Sequence, residues 1–211
     1  MDAFLLVDDH SIIRSGLKVL IEYDYNNAVI DEAIDGDSAY EAIKNNNYNL
    51  VILDINLPDT DTINLISNIK ILKPTLPILI FSMNPELIFA KRYLKLGVNG
   101  FLNKEADNAQ IREAIRSVLN KKRFLSNELQ QFLSDEAILG VKETPFSQLS
   151  DREFEVALHL IKGKGISEIA AFLHLHTSTV GTYKGKIFEK CEVSSLVELN
   201  ELAKIYNVTG R

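Results

Sequence analysis

Leu50-Val51-Ile52-Leu53-Asp54 sets four apolar residues directly ahead of an acid. A short, unbroken apolar run of this kind reads as a strand buried on both faces, the pattern of a parallel sheet. The same arrangement recurs on either side of it. Phe4-Leu5-Leu6-Val7 precedes Asp8 and Asp9, Ile78-Leu79-Ile80-Phe81 precedes Ser82, and Gly100-Phe101-Leu102-Asn103 precedes Lys104. With a further run near 28–33, strand-like segments fall near 3–7, 28–33, 50–54, 77–82 and 98–102. Between and after them apolar residues recur at helical spacing, as in Leu17, Leu20 and Ile21, or Ile111, Ala114, Ile115 and Val118. Strands alternating with helices predict an α/β fold, a doubly wound five-stranded parallel sheet.

In such a sheet, ligands bind beyond the carboxyl ends of the strands, where the strand order reverses. Asp8, Asp9, Asp54, Ser82 and Lys104 all stand at predicted strand ends. A lone Asp after a strand is ordinarily a turn former or a helix cap. Five polar residues at successive strand ends ask for more than that. Oxygen-only acidic ligands suit Mg²⁺, which is typically held by one or two carboxylates and keeps several waters. A carboxylate can attack phosphorus to give an aspartyl-phosphate. The cation and Lys104 would offset charge on the transferring group, and the Ser82 hydroxyl could donate to its oxygens.

The bulk properties frame this chemistry. Of 211 residues, 46% are hydrophobic and 25% charged, as in ordinary globular proteins. No apolar run is long enough to span a bilayer, and no basic segment opens a secretory signal. The single cysteine, Cys191, has no partner for an internal disulfide, which fits a reducing cytoplasm. The formal net charge is −6, which argues against a protein that coats nucleic acid indiscriminately. The whole of it lies in residues 1–147, because residues 148–211 carry eight basic and eight acidic side chains. An acidic front and a neutral, locally basic back suggest two domains with different partners.

The pattern loosens from Lys121 to Ser147, where a short helix around 127–139 precedes a turn-rich stretch from Gly140 to Pro145. Beyond it everything reads as helix, near 151–162, 166–173, 177–190 and 195–206. Ser150 with Glu153 three residues later forms a capping-box signature. The short helix around Glu168 to Leu173, a turn at His174 to His176, and a helix opening at Thr177 form a helix-turn-helix, whose second helix enters the DNA major groove. Thr182, Tyr183, Lys184, Lys186 and Lys190 give that helix hydroxyls and positive charge. Periodicity alone equally allows a four-helix bundle with a solvated basic face.

Two resemblances bear on these alternatives. Residues 1–120 resemble the receiver domain of two-component response regulators, a flavodoxin-like fold. The matching segments are Val7-Asp8-Asp9-His10, Leu53-Asp54-Ile55-Asn56-Leu57-Pro58, Phe81-Ser82-Met83 and Gly100-Phe101-Leu102-Asn103-Lys104. Residues 148–206 resemble the DNA-binding domain of the LuxR (NarL/FixJ-type) family. That match is carried by Leu149-Ser150, Arg152-Glu153, Glu168-Ile169-Ala170, Leu175, Thr179-Val180, Tyr183-Lys184, Ile187, Lys190 and Val193. The implied organisation is a receiver over 1–120, a linker over 121–147 and a helix-turn-helix domain over 148–211.

The resemblance implies roles by position. Asp54 would be the phosphoacceptor, and Asp8, Asp9 and Asp54 would hold Mg²⁺ together with a backbone carbonyl at Asn56. Ser82 would be the switch hydroxyl, Phe101 the switch aromatic, and Lys104 the partner of the phosphoryl group. Phe101 stands where tyrosine is commoner. Thr62 stands where glycine is frequent in the loop after the phosphoacceptor. On the second domain, Gly181, Thr182, Gly185 and Lys186 would face base edges. Lys184 and the helix start at Thr177, Ser178 and Thr179 would meet phosphates, with Lys190 adding charge further along. Gly165 replaces the usual Ser or Thr cap. Two glycines on a reading face are unusual, each costing about 1 kcal/mol of helix propensity against alanine.

The expected protein is thus a cytoplasmic transcription regulator, phosphorylated by a sensor histidine kinase and binding a double-stranded DNA operator as a homodimer when active. It would act on no membrane and catalyse only its own phosphorylation and dephosphorylation. Two rivals make different predictions. A constitutive DNA-binding protein would ignore Asp54→Asn, and a metal-dependent phosphatase would turn over a small phosphoester many times.

Overall fold

The computed structural model describes residues 2–139, 144–206 and 208. Gly140 to Lys142 and Glu143, within the expected linker, lie outside the described residues, as do Asn207 and Thr209 to Arg211 at the end of the second domain. The chain divides into two compact units, residues 1–86 with 90–127, and residues 87–89 with 128–211.

The first unit is a five-stranded, all-parallel sheet in the order β2-β1-β3-β4-β5. Its strands are β1 (Ala3–Val7), β2 (Val29–Ala33), β3 (Leu50–Leu53), β4 (Ile78–Ser82) and β5 (Gly100–Asn103). They alternate with α1 (Ser11–Asp24), α2 (Gly36–Asn45), α3 (Thr62–Leu72), α4 (Glu86–Lys95) and α5 (Asn108–Leu119). The doubly wound reading is therefore correct. Strand side chains alternate between faces. On one face Phe4, Leu6, Leu50, Ile52, Leu79, Phe81 and Leu102 pack against Leu17 and Ile21 of α1 and Ile111, Ala114, Ile115 and Val118 of α5. Their neighbours Leu5, Val7, Val51, Leu53, Ile78, Ile80 and Phe101 point the other way and are equally buried.

One strand departs from the continuous apolar pattern. β2 is an edge strand, and its Asp31 and Glu32 are not buried. Charges there block pairing with another chain, and both are put to use. Asp31 accepts from the Tyr48 hydroxyl at 2.6 Å, and Glu32 pairs with Arg14.

Helix starts follow local chemistry. Asp35 and Asp107 accept from the backbone of Ser38 and Gln110, closing capping boxes at α2 and α5. Gly36, the first residue of α2, has no room for a side chain, since a Cβ there would lie 2.5 Å from Thr60 Cγ2. Its N–H also donates to Thr60 Oγ1 at 3.0 Å, tying the loop after β3 to the start of α2. Thr62 belongs to α3 rather than to the preceding loop. It is buried and donates its hydroxyl to the Ile55 carbonyl at 3.0 Å, which explains why a residue larger than glycine suits the position.

The second unit is all-α. The expected short helix is present as α6 (Asn127–Leu139), and a single 3₁₀ turn, Pro145–Gln148, leads into α7 (Asp151–Ile161). α8 (Ile166–Phe172), α9 (Thr177–Lys190) and α10 (Leu196–Ile205) complete it. α9 packs on both α7 and α8, with α10 against α7. Val156, Ala157, Leu160, Ile169, Leu173, Val180, Ile187, Leu199 and Ala203 form the buried interior. The turn between α8 and α9 is closed by His174 in the left-handed region at φ 52°. Gly165 caps α8 as expected, with its own N–H donating to Glu168 at 2.6 Å.

Candidate functional site

Register brings the acids together. Val7 is level with Leu53, so Asp8 and Asp54 leave neighbouring strands side by side, and the Asp54 N–H donates to the Val7 carbonyl at 2.8 Å. Across the sheet Ser82 is level with Asn103, and the Lys104 N–H donates to the Ser82 carbonyl at 3.0 Å. β1 and β3 flank the point where strand order reverses, as the binding-edge rule requires.

The Lys104 ammonium lies 2.6 Å from Asp8 Oδ2 and 2.7 Å from Asp54 Oδ2. All three side chains are at least 95% buried. Burial works against the Lys104 charge, but the bonds from Asp54 and Asp8 and the two carboxylate charges outweigh it, so its pKa is raised above the ordinary lysine value. The Lys104 ammonium therefore bridges the two acids and holds them in one place. Asp9 is more exposed, at the rim.

Around Asp54 lies a shell of polar groups. The Asn56 N–H donates to Asp54 Oδ1 at 3.1 Å, and its side-chain amide reaches Ser82 Oγ at 3.4 Å. Asn84 donates its side-chain amide to Asn56 Oδ1 at 3.1 Å. Ser82 is fully buried, and so is Phe101 on the neighbouring strand. Phe101 thus already occupies an inward position.

Carboxylate and imidazole ligand atoms of Asp8, Asp9, His10 and Asp54 all lie within 4.8 Å of one another. This donor set fits a divalent cation, since hard cations favour carboxylate oxygens and the four groups converge on one point at the sheet edge.

Two residues of the site escaped the sequence reading. His10 contacts the carboxylates of both Asp8 and Asp9. Arg14, one turn further along α1, donates from Nη1 to the Asp8 carbonyl at 2.7 Å and from Nε to Glu32 at 2.6 Å. It clamps the end of β1 to the edge strand. Adjacency to Asp8-Asp9 was a signal for His10. Nothing in the sequence signals Arg14, whose partners are set by the crossing of α1 over β2.

The helix-turn-helix presents a second surface. Thr177, Ser178, Thr182, Gly185 and Lys186 are exposed, while Thr179, Gly181 and Lys184 are half-buried. No side chain caps the start of α9, because His176 at the cap position makes no such bond. The Thr179 N–H donates to the His176 carbonyl at 3.0 Å, so the N–H groups of Thr177 and Ser178 are the ones that point out of the helix start, a geometry that suits phosphate. Thr182 donates its hydroxyl back to the Ser178 carbonyl at 3.0 Å, which leaves its methyl and an acceptor lone pair to face outward. Lys190 is also tied inward, its ammonium 2.6 Å from Glu153 and 3.3 Å from the Gln148 carbonyl, while its side chain stays 37% exposed.

A parallel sheet with this acid-and-lysine edge, carried on one chain with a helix-turn-helix, defines the class: a DNA-binding response regulator. Comparison with known proteins agrees. Residues 4–116 match the response regulator receiver domain, and residues 147–203 match the bacterial regulatory proteins of the luxR family. Fimbriae Z protein of Salmonella typhimurium LT2 is 33% identical over 206 residues, 97% of each chain. Response regulator UvrY of Escherichia coli K12 is 30% identical over 200 residues, 94% of this chain and 92% of that one.

Among solved structures, RcsB from Salmonella enterica serovar Typhimurium, bound to promoter rprA with the phosphomimetic BeF3-, superposes with a TM-score of 0.79. It covers 96% of this chain and 98% of that one at 23% identity, a likeness of fold. The LuxR-family response regulator from Aurantimonas sp. SI85-9A1 is 32% identical with a TM-score of 0.60, over 64% of this chain and 97% of that one. The chain belongs to the response regulators that join a receiver domain to a LuxR-type DNA-binding domain. Among the described residues, no helix is long and apolar enough to cross a membrane.

Proposed function

We propose that Asp54 accepts a phosphoryl group from a partner sensor histidine kinase, and that this controls dimerisation and operator binding to regulate transcription. The observation that carries the proposal is the double contact of Lys104 with Asp54 and Asp8 at the mouth of the acidic edge. A buried ammonium fixed beside one carboxylate oxygen stands ready to take up charge on a phosphoryl group bonded to that carboxylate.

Mg²⁺ is the proposed cofactor, held by Asp8, Asp9 and Asp54 with the Asn56 carbonyl, and when bound it supplies charge neutralisation at the transferring phosphoryl oxygens. The protein's own part is positional. Asn56 keeps Asp54 oriented through its N–H, and the buried Ser82 Oγ lies within reach of the Asn56 side-chain amide and the Asn84 backbone N–H. On phosphorylation the Ser82 hydroxyl would turn to the new oxygens and hold Phe101 in its buried position, biasing the surface behind it. The domain limits proposed are 1–120, 121–147 and 148–211, in a cytoplasmic protein that turns over no external substrate.

On the DNA side, the uncapped start of α9 at Thr177, Ser178 and Thr179 would take a phosphate, with Lys184 nearby. Gly181, Thr182, Gly185 and Lys186 would face the bases, Thr182 offering its methyl to a thymine and Lys186 its charge to a guanine. A homodimer would read two half-sites.

The test is selection of duplexes from a random DNA pool by the full-length protein with Mg²⁺, with and without beryllofluoride. Enrichment of a two-half-site motif with the mimic alone is expected. Equal enrichment in both arms would reduce the receiver to a scaffold.

A further inference from the structure

His10 stands at the N-cap position of α1, where a short oxygen-bearing side chain ordinarily accepts a free N–H of the first turn. Its imidazole makes no such bond. The ring instead turns back over the strand end, with Nδ1 2.8 Å from Asp9 Oδ1 and 3.1 Å from Asp8 Oδ1. The helix start forgoes its cap, and a nitrogen donor stands among the carboxylates.

The ligand atoms of Asp8, Asp9, His10 and Asp54 lie within 4.8 Å of one another. Opposite ligands of a six-coordinate cation of this size are roughly 4 Å apart, so small side-chain movements would bring all four onto one ion. His10 and Asp9 have the freedom for this, being 62% and 37% exposed. Three carboxylates alone describe an oxygen site of the kind Mg²⁺ prefers. An imidazole alters the preference, because nitrogen ligands favour transition ions over Mg²⁺.

We propose that His10 is a ligand of the cation, making the site a mixed nitrogen–oxygen one that prefers a divalent transition ion such as Mn²⁺ to Mg²⁺. This rests on the reading of Asp8, Asp9 and Asp54 as a cation site. The His10 N–H holds Asp8 Oδ1 at 2.9 Å through the backbone, so His10→Ala keeps the loop in place while removing the ring.

The experiment uses the full-length, untagged protein and its His10→Ala variant, with Mn²⁺ and Mg²⁺ as the only probes. Pulsed electron paramagnetic resonance of the Mn²⁺ complex reads nitrogen coupling, and titration reads the ratio of the two affinities. Imidazole coupling is expected in the parent protein and not in His10→Ala. The Mn²⁺ preference should fall by about tenfold on losing the ring. Mg²⁺ affinity should change by less than about twofold.

Ions bound with no nitrogen coupling, coupling that persists in His10→Ala, or an unchanged ratio would each overturn the role of His10 and leave the phosphoacceptor reading standing. Tighter binding of both ions by His10→Ala would make the ring a competitor, and overturn it too. Failure of the parent protein to bind either ion would overturn both readings.

Discussion

Lys104 Nζ lies 2.6 Å from Asp8 Oδ2 and 2.7 Å from Asp54 Oδ2, and one buried ammonium thereby joins acids that end two different strands. Removing it should leave two buried carboxylates facing each other. Lys104→Met is expected to lose on the order of 3 kcal/mol of stability at neutral pH without divalent cation, as broken buried pairs do. Added Mg²⁺ should then raise the melting temperature of the variant more than that of the parent. Equal Mg²⁺ shifts in the two proteins would show that Lys104 does not share the cation's electrostatic task. The raised Lys104 pKa also sets a pH window. Its stabilising share is complete below the ordinary lysine value of 10.5 and is lost as pH climbs through the raised folded value.

In the second unit Glu153 has the opposite sign. Burial pushes its carboxyl up, but the Lys190 bond, the Ser150 backbone and hydroxyl and the Lys190 charge prevail and hold it below the ordinary value of 4.5. Its contribution is therefore present above that value and is lost as pH falls through the depressed one. Protection factors along α9, with the intrinsic pH dependence of amide exchange divided out, should fall on acidification in the parent protein. In Glu153→Gln this acid-dependent step should be weaker. An identical acid response in both would place the sensitivity elsewhere.

Gly181 and Gly185 on α9 have nothing within 4 Å of where a Cβ would stand. Alanine at either position meets no obstacle and should stabilise the helix by up to about 1 kcal/mol. If the backbone there approaches bases, the same change should weaken specific DNA binding. Denaturation curves and operator titrations of Gly181→Ala and Gly185→Ala read the two effects separately. A variant that is stabilised and binds the operator as well as the parent would show that the glycines serve no close approach.

Cys191 should resist alkylation in the native state. It is buried, and desolvation, reinforced by the Glu153 charge and partly offset by Lys190, pushes its thiol up to about 11. At pH 8 the thiolate fraction is then on the order of a thousandth, before burial slows access further. Iodoacetamide labelling should follow unfolding in urea. Rapid labelling of the folded protein would contradict the packing described around α9.

Much of the fold was legible because buried parallel strands announce themselves as apolar runs. β1, β3, β4 and β5 fall within a residue or two of where those runs predict them. β2 was harder to read as an edge, since its Asp31 and Glu32 acquire meaning only beside Tyr48 and Arg14. The site showed the same division. Asp8, Asp9, Asp54, Ser82 and Lys104 could be placed because strand ends share an edge. Arg14 could not, because its bonds to the Asp8 carbonyl and to Glu32 depend on how α1 crosses the sheet. The Lys190 ion pair was hidden for a related reason, since its partner Glu153 lies on α7, 37 residues earlier in the chain.

Phosphorylation of Asp54 is the central claim, and intact-mass measurement after incubation with Mg²⁺ and a small acyl phosphate donor tests it most directly. The parent protein should gain a single phosphoryl group, located by peptide mapping at Asp54, and Asp54→Asn should gain none. A phosphoryl group retained by Asp54→Asn, or mapped to another residue of the parent, would contradict the account.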